Sequence, residues 1–291
     1  MKRLGVLGWP VAHSRSPRMQ NAALFECGLK DWHYQRLPVP PEVFEETVRG
    51  LPAAGFVGAN VTIPHKEAAL ALADASTAAA REIGAANTLT FDPESGAVHA
   101  ANTDAPGFIA ALGGIGVDPR GQTALVLGAG GSARGIVYAL REAGAARVSV
   151  WNRTRDRADA LAADLGVDAA YRPQPADLLV NCTSVGLADG EFKDLPVDAD
   201  ALGTYATVAD LVYRDGGTGL VAQARRRGCA VVDGLEVLVR QGAMSFEAWT
   251  GLTAPVDAMR DAARGANPDA NDPGTSDPSD RRAADPRRPG R

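Results

Sequence analysis

The sequence predicts an α/β protein that is long enough for two domains. The chain has 291 residues, of which 45% are hydrophobic, so it can build more than one packed core. Signals for strands and helices alternate along most of its length, a pattern typical of βαβ units and parallel sheets. The alternation is irregular in the first hundred residues and becomes regular from Gln122 onward.

The first hundred residues open with a short apolar strand that is followed by a helix. Ser16 suits the N-cap of this helix, Pro17 suits its first position, and Gly28 is suited to end it. Asp92-Pro-Glu-Ser-Gly96 is typical of a hairpin turn. Strands are predicted at 4–7, 34–39, 56–63, 89–91 and 98–100, and further helices at 40–50 and 66–73.

The second half of the chain predicts a regular parallel sheet, since each strand signal is followed by a helix signal or by another strand of the same sheet. Strands are predicted at 124–127, 147–151, 178–181, 208–211 and 230–232, and helices at 132–142, 155–165, 220–227 and 234–249. The last 27 residues, 265–291, contain no Leu, Ile, Val or aromatic residue. Such a segment buries too little surface to offset its ordering entropy, so we expect a disordered tail.

Composition excludes several classes of function. The net charge of −5 provides no basic field for nucleic acid or an anionic membrane, and 5% aromatic residues are few for a base-stacking platform. The three cysteines and four histidines show no metal-ligand spacing, so no metal is expected. The N-terminus has only a very short apolar run, which predicts neither a signal peptide nor a membrane span. We therefore expect a cytoplasmic protein.

Gly128-Ala-Gly-Gly-Ser-Ala133 follows an apolar strand and opens a helix, the context that a phosphate-binding glycine turn requires. Gly128 permits the tight turn, Gly130 lets the backbone approach a pyrophosphate, and Ala133 allows close packing of helix on strand. The helix N-terminus adds free N–H groups and the positive end of a dipole. The segment predicts a Rossmann-type, doubly wound nucleotide-binding domain.

The end of the next strand selects the cofactor. A site for NAD carries Asp or Glu there to bind the ribose 2′-hydroxyl, whereas this chain has Trp151-Asn-Arg-Thr-Arg-Asp-Arg157. Guanidinium groups bind phosphate through paired hydrogen bonds. Arginines at a helix N-terminus are also unfavourable unless an anion is present. The pattern favours NADP, with its 2′-phosphate, over NAD.

Two stretches near the N-terminus provide polar groups for a small substrate. Ser14 and Ser16 place two hydroxyls around a predicted helix N-terminus, which suits a carboxylate. Asn60-Val-Thr-Ile-Pro-His-Lys66 gathers an amide, a hydroxyl and an ammonium. Together with the glycine turn, they indicate a nucleotide-dependent enzyme that acts on a small polar molecule, with Lys66 in the chemistry.

A set of short motifs occurs along the chain, in the order G-x-P-x-x-H-S-x-S-P, N-V-T-I-P-H-K, G-A-A-N-T-L, N-T-D, G-A-G-G-S-A-R, N-R-T, N-C-T-S-V-G and V-L-V-R-Q-G-A. As a set, these motifs resemble those of the shikimate dehydrogenase family, the NADPH-dependent enzymes of aromatic biosynthesis. The resemblance runs from about Leu4 to Trp249 and leaves out the tail. It is specific because many motifs match in one order at compatible spacing.

The resemblance implies an α/β substrate-binding domain of residues 1–102, completed by helices of 235–264, and an NADP-binding Rossmann domain of residues 103–234. The active site would lie in the cleft between the two domains. The implied reaction is the reversible reduction of 3-dehydroshikimate to shikimate with NADPH, in aromatic amino acid and chorismate biosynthesis. The expected partner is thus a small-molecule substrate.

The resemblance also implies roles for individual residues, with Lys66 and Asp104 as the catalytic pair. Residues implied to hold the substrate carboxylate are Ser14, Ser16 and Tyr213, and those implied to bind the ring hydroxyls are Thr62, Asn87, Asp104 and Gln241. Residues implied to contact the cofactor are Gly128, Ala129, Gly130, Gly131, Ser132, Asn152, Arg153, Thr154, Arg157, Leu211 and Gly234.

The chemistry of the lysine and the aspartate supports these roles independently. Reduction of a ketone needs a hydride donor and a proton donor near the developing alkoxide. The Lys66 ammonium can stabilise that oxygen and donate the proton, and Asp104 can hold the ammonium in place. His65 is adjacent to Lys66 in sequence, but side chains one residue apart do not share a helix face. We therefore expect His65 to support the site from behind or to lie at the surface.

Four departures from the family pattern affect the details of the site. Gln20 stands where a histidine is usual, and Pro106 follows N-T-D-A where small residues are commoner. Residues 214–217 replace a proline-containing run, and Val237 replaces a methionine expected near the nicotinamide. These departures affect the nicotinamide packing and the preferred substrate, and none removes a catalytic group.

Two alternatives stay open at the level of sequence. A quinate/shikimate or aminoshikimate dehydrogenase would share most of the motifs, although Arg153 and Arg157 argue against the NAD that such enzymes often favour. A metabolite-sensing module without turnover would be expected to lack Lys66 or Asp104, and both are present. Monomer and homodimer both fit, since no apolar edge strand stands out as an interface.

Overall fold

The computed structural model describes residues 1–187, 191–214 and 216–265. Within these ranges the chain forms two six-stranded sheets with helices packed on both. None of the helices in these ranges combines the length and the apolar character needed to cross a membrane. Apart from Gly265, the predicted disordered tail lies outside the described residues.

The first sheet is mixed and has the strand order β2-β1-β3-β5-β6-β4. Its strands are β1 (Lys2–Gly8), β2 (Trp32–Pro38), β3 (Phe56–Val61), β4 (Ala75–Ser76), β5 (Thr88–Phe91) and β6 (Val98–Ala101). Strands β1, β2 and β3 are parallel, whereas β5 pairs antiparallel with both β3 and β6. The β5–β6 pair is the hairpin that the turn at Asp92 predicted.

The helices of this first unit connect its strands and place polar residues at one edge of the sheet. They are α1 (Ser16–Glu26), α2 (Phe44–Gly50), α3 (Lys66–Ala71) and α4 (Ala78–Ile83), with a short 3-10 helix at Pro41–Val43. The cap predicted for α1 is wrong by one residue, because the N-cap is Arg15 and Ser16 is already helical. The Ser16 hydroxyl therefore caps nothing, and Ser16 lines the cavity described below.

The second sheet is wholly parallel and has the strand order β12-β11-β10-β7-β8-β9. Its strands are β7 (Thr123–Leu127), β8 (Arg147–Trp151), β9 (Asp168–Ala169), β10 (Leu178–Asn181), β11 (Thr207–Asp210) and β12 (Ala230–Val232). Its helices are α6 (Gly131–Glu142), α7 (Arg155–Leu165) and α8 (Gly219–Arg226), with 3-10 helices at Phe192–Asp194 and Ala201–Thr204. Every residue of the central strand β10 is buried, as expected for a parallel strand that is covered on both faces.

Three further helices tie the two sheets together: α5 (Asp104–Gly114), α9 (Gly234–Thr250) and α10 (Val256–Arg264). Helix α5 packs on α9 and on α6, and α10 packs on α1 and α9. Helix α9 returns to the first sheet, where Trp249 Nε1 donates to the Leu89 carbonyl at 2.9 Å. The polar edges of both sheets consequently face one another across the starts of α3, α5, α6 and α9.

Candidate active site

The lysine and the aspartate singled out in the sequence form a buried ion pair. Lys66 is the first residue of α3 and Asp104 is the first residue of α5. Lys66 Nζ lies 2.6 Å from Asp104 Oδ2, and each side chain is only 12% exposed. Lys66 Nζ also donates to Ser132 Oγ, in the glycine turn, at 2.8 Å. Water screens such a buried pair much less than it screens a surface salt bridge.

Asn87 holds the second oxygen of Asp104. Its Nδ2 donates to Asp104 Oδ1 at 2.8 Å and to Gln241 Oε1 at 3.1 Å. Its Oδ1 accepts from the Thr103 backbone N–H at 2.7 Å. Both oxygens of Asp104 are therefore bound, one by the ammonium and one by an amide, which fixes the orientation of the carboxylate.

A layer of hydroxyl and amide groups lies behind these residues. Tyr34 Oη donates to Asn60 Oδ1 at 2.8 Å, and Asn60 Nδ2 donates to Ser245 Oγ at 2.9 Å. Ser245 Oγ lies 2.8 Å from Thr88 Oγ1 and 3.2 Å from Thr103 Oγ1. All five side chains are buried, so this buried polar layer is hydrogen-bonded within itself and rigid.

The predicted carboxylate-binding residues lie at the start of α1. The Tyr213 hydroxyl is hydrogen-bonded to Ser14, and the Tyr34 hydroxyl is hydrogen-bonded to Ser16. Burial raises the pKa of Tyr213, so it is a neutral phenol that can donate. Arg36 Nη2 donates to the Ser14 carbonyl at 3.0 Å, which holds the Ser14 loop beside a cationic group.

One cavity collects all seven residues predicted to bind the substrate, and its volume is about 140 Å³. These residues are Ser14, Ser16, Thr62, Asn87, Asp104, Tyr213 and Gln241. The other residues that line it are Val6, His13, Asn60, Val61, Lys66, Ser132, Leu211, Gly234, Val237 and Leu238. The cavity thus combines hydroxyl and amide groups with an apolar wall, as expected of a site for a small polar ring.

A second cavity, with a volume of about 620 Å³, lies along the glycine turn. Of the residues predicted to bind the cofactor, it contains Ala129, Gly130, Gly131, Ser132 and Arg157. Lys66 and Ser132 line both cavities, so the two spaces adjoin at the lysine. A ligand in one cavity and a ligand in the other would meet there.

The glycine turn fits a pyrophosphate. Gly128 has φ of +107°, and an added Cβ would lie 3.0 Å from the Cys182 backbone, so only glycine is tolerated. Helix α6 begins after Gly130 with no side-chain cap, which leaves the N–H groups of its first turn for an anion. Burial raises the pKa of the neighbouring Cys182 thiol, which therefore stays neutral.

The residues predicted to select NADP follow β8 at the same edge of the sheet. Asn152 Nδ2 donates to the Thr154 carbonyl at 2.8 Å, so its side chain holds the loop in shape. Arg153 and Thr154 are exposed and line neither of these two cavities, whereas Arg157 lines the second. Arg155 stacks on the Tyr171 ring.

Leu211 and Gly234, both predicted to contact the cofactor, lie in the first cavity beside Val237. They therefore line the same cavity as the residues predicted to bind the substrate. Below them, the Asp210 carboxylate accepts from Asn181 Nδ2 at 2.9 Å and from Thr218 Oγ1 at 2.6 Å. Burial raises the pKa of Asp210 to about 6, and these hydrogen bonds oppose the shift.

His65 is buried, so the predicted alternative of a surface position is wrong. Its ring is buried, its Nε2 lies 2.7 Å from the Val39 carbonyl, and it stacks on Phe44 with centroids 4.2 Å apart. Burial lowers its pKa, which favours a neutral ring.

Gln20 donates to the Gly242 carbonyl at 2.9 Å, so this departure from the family pattern is a contact between α1 and α9.

Sequence reasoning missed the buried layer of Tyr34, Thr88, Thr103 and Ser245 and the contact of Ser132 with Lys66. The polar residues at 87–88 and 102–104 were a partial signal, because so many hydrogen-bonding groups are seldom buried together without purpose. Within the described ranges, no group of three or more His, Cys, Asp or Glu residues is placed to hold a metal ion.

Comparison with known proteins gives three matches to family profiles along the chain. Residues 6–89 match the shikimate dehydrogenase substrate binding domain, residues 115–182 match shikimate / quinate 5-dehydrogenase, and residues 234–264 match the shikimate 5'-dehydrogenase C-terminal domain. The matched segments include the start of α1, the glycine turn and helix α9.

Whole-chain comparisons agree with these segments. The chain is 50% identical over 261 residues to a shikimate dehydrogenase (NADP(+)) of Methylobacterium radiotolerans, covering 86% of this chain and 91% of the relative. A shikimate 5-dehydrogenase of Thermus thermophilus, solved with NADP(H) and shikimate, is 42% identical with a TM-score of 0.82, over 91% of this chain and 99% of that one.

A solved 5-ketofructose reductase of a Gluconobacter strain is also similar, at 31% identity with a TM-score of 0.78, over 90% of this chain and 97% of that one. The predicted fold class, an α/β substrate domain with a Rossmann-type nucleotide-binding domain, is confirmed by the dehydrogenase structures. From the profile matches and the identity over most of its length, the chain belongs to the shikimate dehydrogenase family.

Proposed function

We propose that this chain catalyses the reversible, NADP-dependent reduction of 3-dehydroshikimate to shikimate, a step of aromatic amino acid biosynthesis. The observation that carries the proposal is the position of Lys66. Its ammonium is held 2.6 Å from Asp104 at the point where the substrate cavity and the cofactor cavity adjoin. A proton donor is therefore placed between a site for a small polar ring and a site for a dinucleotide.

The substrate cavity has two chemically different ends. At one end, Ser14, Ser16 and Tyr213 offer hydroxyl donors beside the N-terminus of α1, which suits a carboxylate. At the other end, amide and carboxylate groups face the same space, which suits ring hydroxyls. The residues that we assign to these hydroxyls are Thr62, Asn87, Asp104 and Gln241.

In the direction of reduction, Lys66 acts as the acid. Its ammonium stabilises the developing alkoxide and then donates a proton to that oxygen. In the direction of oxidation, the neutral amine accepts the proton of the substrate hydroxyl. Asp104 orients the ammonium and accepts from a substrate hydroxyl, while Asn87 fixes the carboxylate through a 2.8 Å hydrogen bond.

NADPH bound along the glycine turn would supply the hydride to the substrate carbonyl carbon. The turn Gly128, Ala129, Gly130, Gly131 and Ser132 would hold the pyrophosphate through backbone N–H groups. The loop after β8, with Asn152, Arg153, Thr154 and Arg157, would hold the adenosine 2′-phosphate. Leu211 and Gly234 would lie against the nicotinamide end.

This proposal assigns residues 1–102 with 235–264 to substrate binding and residues 103–234 to NADP binding. The cytoplasmic location and the homodimer stay predictions. Sedimentation velocity over a range of protein concentrations tests the homodimer. Fractionation of cells that express the chain at native levels tests the cytoplasmic location.

The test is NADP reduction followed at 340 nm with shikimate and quinate in parallel, and with NAD in place of NADP as a control. Turnover with shikimate and NADP at a far higher kcat/KM than any other pair is the expected result. Comparable turnover with quinate or NAD would move the chain to the quinate/shikimate alternative. Reduction of 5-ketofructose is measured as a further arm, because a reductase of that substrate is among the similar structures.

A further inference from the structure

Ser132 belongs to the glycine turn, but its hydroxyl is bonded to the lysine. Its Oγ accepts a hydrogen bond from Lys66 Nζ at 2.8 Å, across a sequence separation of 66 residues. Helix α6 begins after Gly130 without a side-chain cap, so the Ser132 hydroxyl is not committed to the helix N-terminus. Ser132 is also one of two residues that line both cavities.

We propose that Ser132 is a positioning residue for the reaction, because it fixes the direction of the Lys66 ammonium. An ammonium has three N–H donors. Asp104 Oδ2 takes one at 2.6 Å and Ser132 Oγ takes a second at 2.8 Å, which leaves one for the substrate oxygen. With Asp104 alone, Nζ could still move by rotation about the Cδ–Cε bond while it keeps that contact, and the direction of its remaining N–H groups would vary with it.

The close packing of α6 against the lysine stem supports this reading. A Cβ added to Gly131 would lie 2.8 Å from Lys66 Cβ and 3.3 Å from Lys66 Cδ. The start of α6 is thus pressed against the aliphatic part of the lysine, and the next residue along the helix presents its oxygen to Nζ. The lysine backbone is held as well, since its carbonyl accepts from the Ala86 N–H at 2.8 Å.

The proposal also links the two ligands. The residue that orients the proton donor sits in the first turn of the helix whose N–H groups face the predicted pyrophosphate site. An ordered glycine turn therefore orders the lysine. The inference rests on the proposed function, because it assigns to Ser132 a part in the chemical step and not only in cofactor affinity.

The kinetic test compares Ser132→Ala with Ser132→Thr, which keeps a hydroxyl at the same carbon. Because a hydrogen bond to a charged group contributes substantial free energy, we expect its loss in Ser132→Ala to lower kcat roughly 10- to 100-fold. We expect the KM for NADP to change little and the deuterium isotope effect on kcat to rise, because the chemical step slows. Ser132→Thr is expected to recover most of the lost rate. The matched control is Ser149→Ala. This variant removes a single serine hydrogen bond, from Ser149 on β8 to the Ala124 carbonyl, in the second sheet and away from both cavities.

A second readout needs neither substrate nor cofactor. The chain has four lysines, Lys2, Lys30, Lys66 and Lys193, so selective ¹⁵N labelling resolves the Lys66 ammonium. We expect its protons to exchange slowly with water in the wild type and much faster in Ser132→Ala, with the other three lysines unchanged. This readout holds even if the wild type turns over neither shikimate nor quinate, in which case the proposed function alone fails.

Two results would overturn the positioning role. One is a Ser132→Ala enzyme with wild-type kcat and a raised KM for NADP, which would make Ser132 a cofactor contact only. The other is an unchanged Lys66 ammonium signal in that variant, which would show that Asp104 holds the lysine without help.

Discussion

The substrate cavity and the loop after β8 hold their polar side chains in opposite ways. In the cavity, Asp104 and Asn87 are buried and each makes two or more hydrogen bonds to other side chains. On the loop, Arg153 and Arg157 are exposed side chains. Side chains that act on a reacting oxygen must be held in a fixed orientation. Exposed arginines can instead rearrange around a phosphate and bind it through charge attraction alone.

This difference predicts where mutations affect rate and where they affect affinity. Substitutions in the cavity should change kcat or the binding of the substrate, and they should depend little on salt because the groups are buried. Substitutions on the loop should change the KM for the cofactor, and they should depend strongly on ionic strength.

The largest effect is expected for Lys66→Ala. General acid–base catalysis by a positioned side chain contributes roughly 10² to 10⁴ in rate, so kcat should fall about 10³-fold while the KM for shikimate changes little. The measurement is steady-state kinetics at 340 nm in both directions. Lys193→Ala, which removes an exposed lysine, is the control. A Lys66→Ala enzyme with near-normal turnover would end the assignment of Lys66 as the acid.

The second prediction concerns Asp210, at the end of β11 and next in sequence to Leu211, which lines the substrate cavity. Its folded pKa of about 6 lies above its ordinary value of 3.8. The folded state thus holds a proton that the unfolded state has lost, and the stability from this group falls as pH rises from about 4 to about 6. The shift corresponds to at most about 3 kcal/mol.

Asp210→Asn removes this titration. We expect the stability of the variant relative to wild type to improve as pH rises through that window, measured as the shift in urea midpoint at several pH values. The control is Asp177→Asn, because hydrogen bonds from Thr123 lower the pKa of Asp177. That variant should lose stability relative to wild type as pH rises towards the ordinary value of 3.8, and it should show little pH dependence in the window of Asp210. A difference between Asp210→Asn and wild type that does not vary with pH would mean that Asp210 titrates normally.

The third prediction concerns the arginines of the loop. Arg157→Ala and Arg153→Ala should each raise the KM for NADPH roughly 10- to 30-fold, since a charge-assisted contact to phosphate is lost. The kcat at saturating NADPH should stay near that of wild type. The preference for NADPH over NADH should fall by a similar factor, and the effect should shrink at high salt.

Arg172→Ala, at another exposed arginine, is the matched control for these variants. An unchanged NADPH-to-NADH ratio in both loop variants would mean that the 2′-phosphate binds elsewhere. Because the loop arginines act through charge, Arg157→Lys should retain part of the preference, although lysine lacks the paired geometry of a guanidinium.

Much of the nucleotide-binding half could be predicted from sequence. The predicted limits of β8, α7, β10 and β12 match the structure, since apolar runs of a covered parallel sheet are bounded by turn residues and leave little freedom. The cofactor was also predicted correctly as NADP, whereas the part of the loop after β8 in selecting it stays a prediction.

Some elements in both halves of the chain were not predicted, for physical reasons. Helix α5, Asp104–Gly114, was not predicted, because Pro106 and three glycines in it favour a loop on propensity alone. Packing against α6 and α9 overrides that preference. Pro106 is tolerated since it lies in the first turn, where its missing N–H has no intrahelical partner. Strands β4 and β9 have two residues each, too few to leave a periodic signal.

The candidate site was likewise only partly predictable from the sequence. The resemblance implied that Lys66 and Asp104 act as a pair, but only the fold shows that α3 and α5 begin side by side and bring the two groups within 2.6 Å. Asn60, Thr88 and Thr103 of the buried layer lie within the quoted motifs, but no motif indicated that they contact one another. Its members come from β2, β3, β5, α9 and the residue before α5, and a contact among five elements is a property of tertiary structure.

The smallest effect is expected for Ser245→Ala, and it tests whether the buried layer sets the rigidity of the cavity. The Ser245 hydroxyl bonds to Asn60, Thr88 and Thr103. Among the residues that we assign to the substrate, it contacts only Gln241, through the backbone carbonyl. Losing one buried hydroxyl from such a layer costs roughly 1 to 3 kcal/mol of stability. We expect kcat to fall only about threefold, because Asn87 and Asp104 keep their direct contacts.

The measurement pairs urea unfolding with kinetics, and Ser149→Ala again serves as control. A loss of kcat as large as that of Lys66→Ala would mean that the layer takes part in the proton path, whereas a fully wild-type stability would mean that its hydrogen bonds are replaced by water.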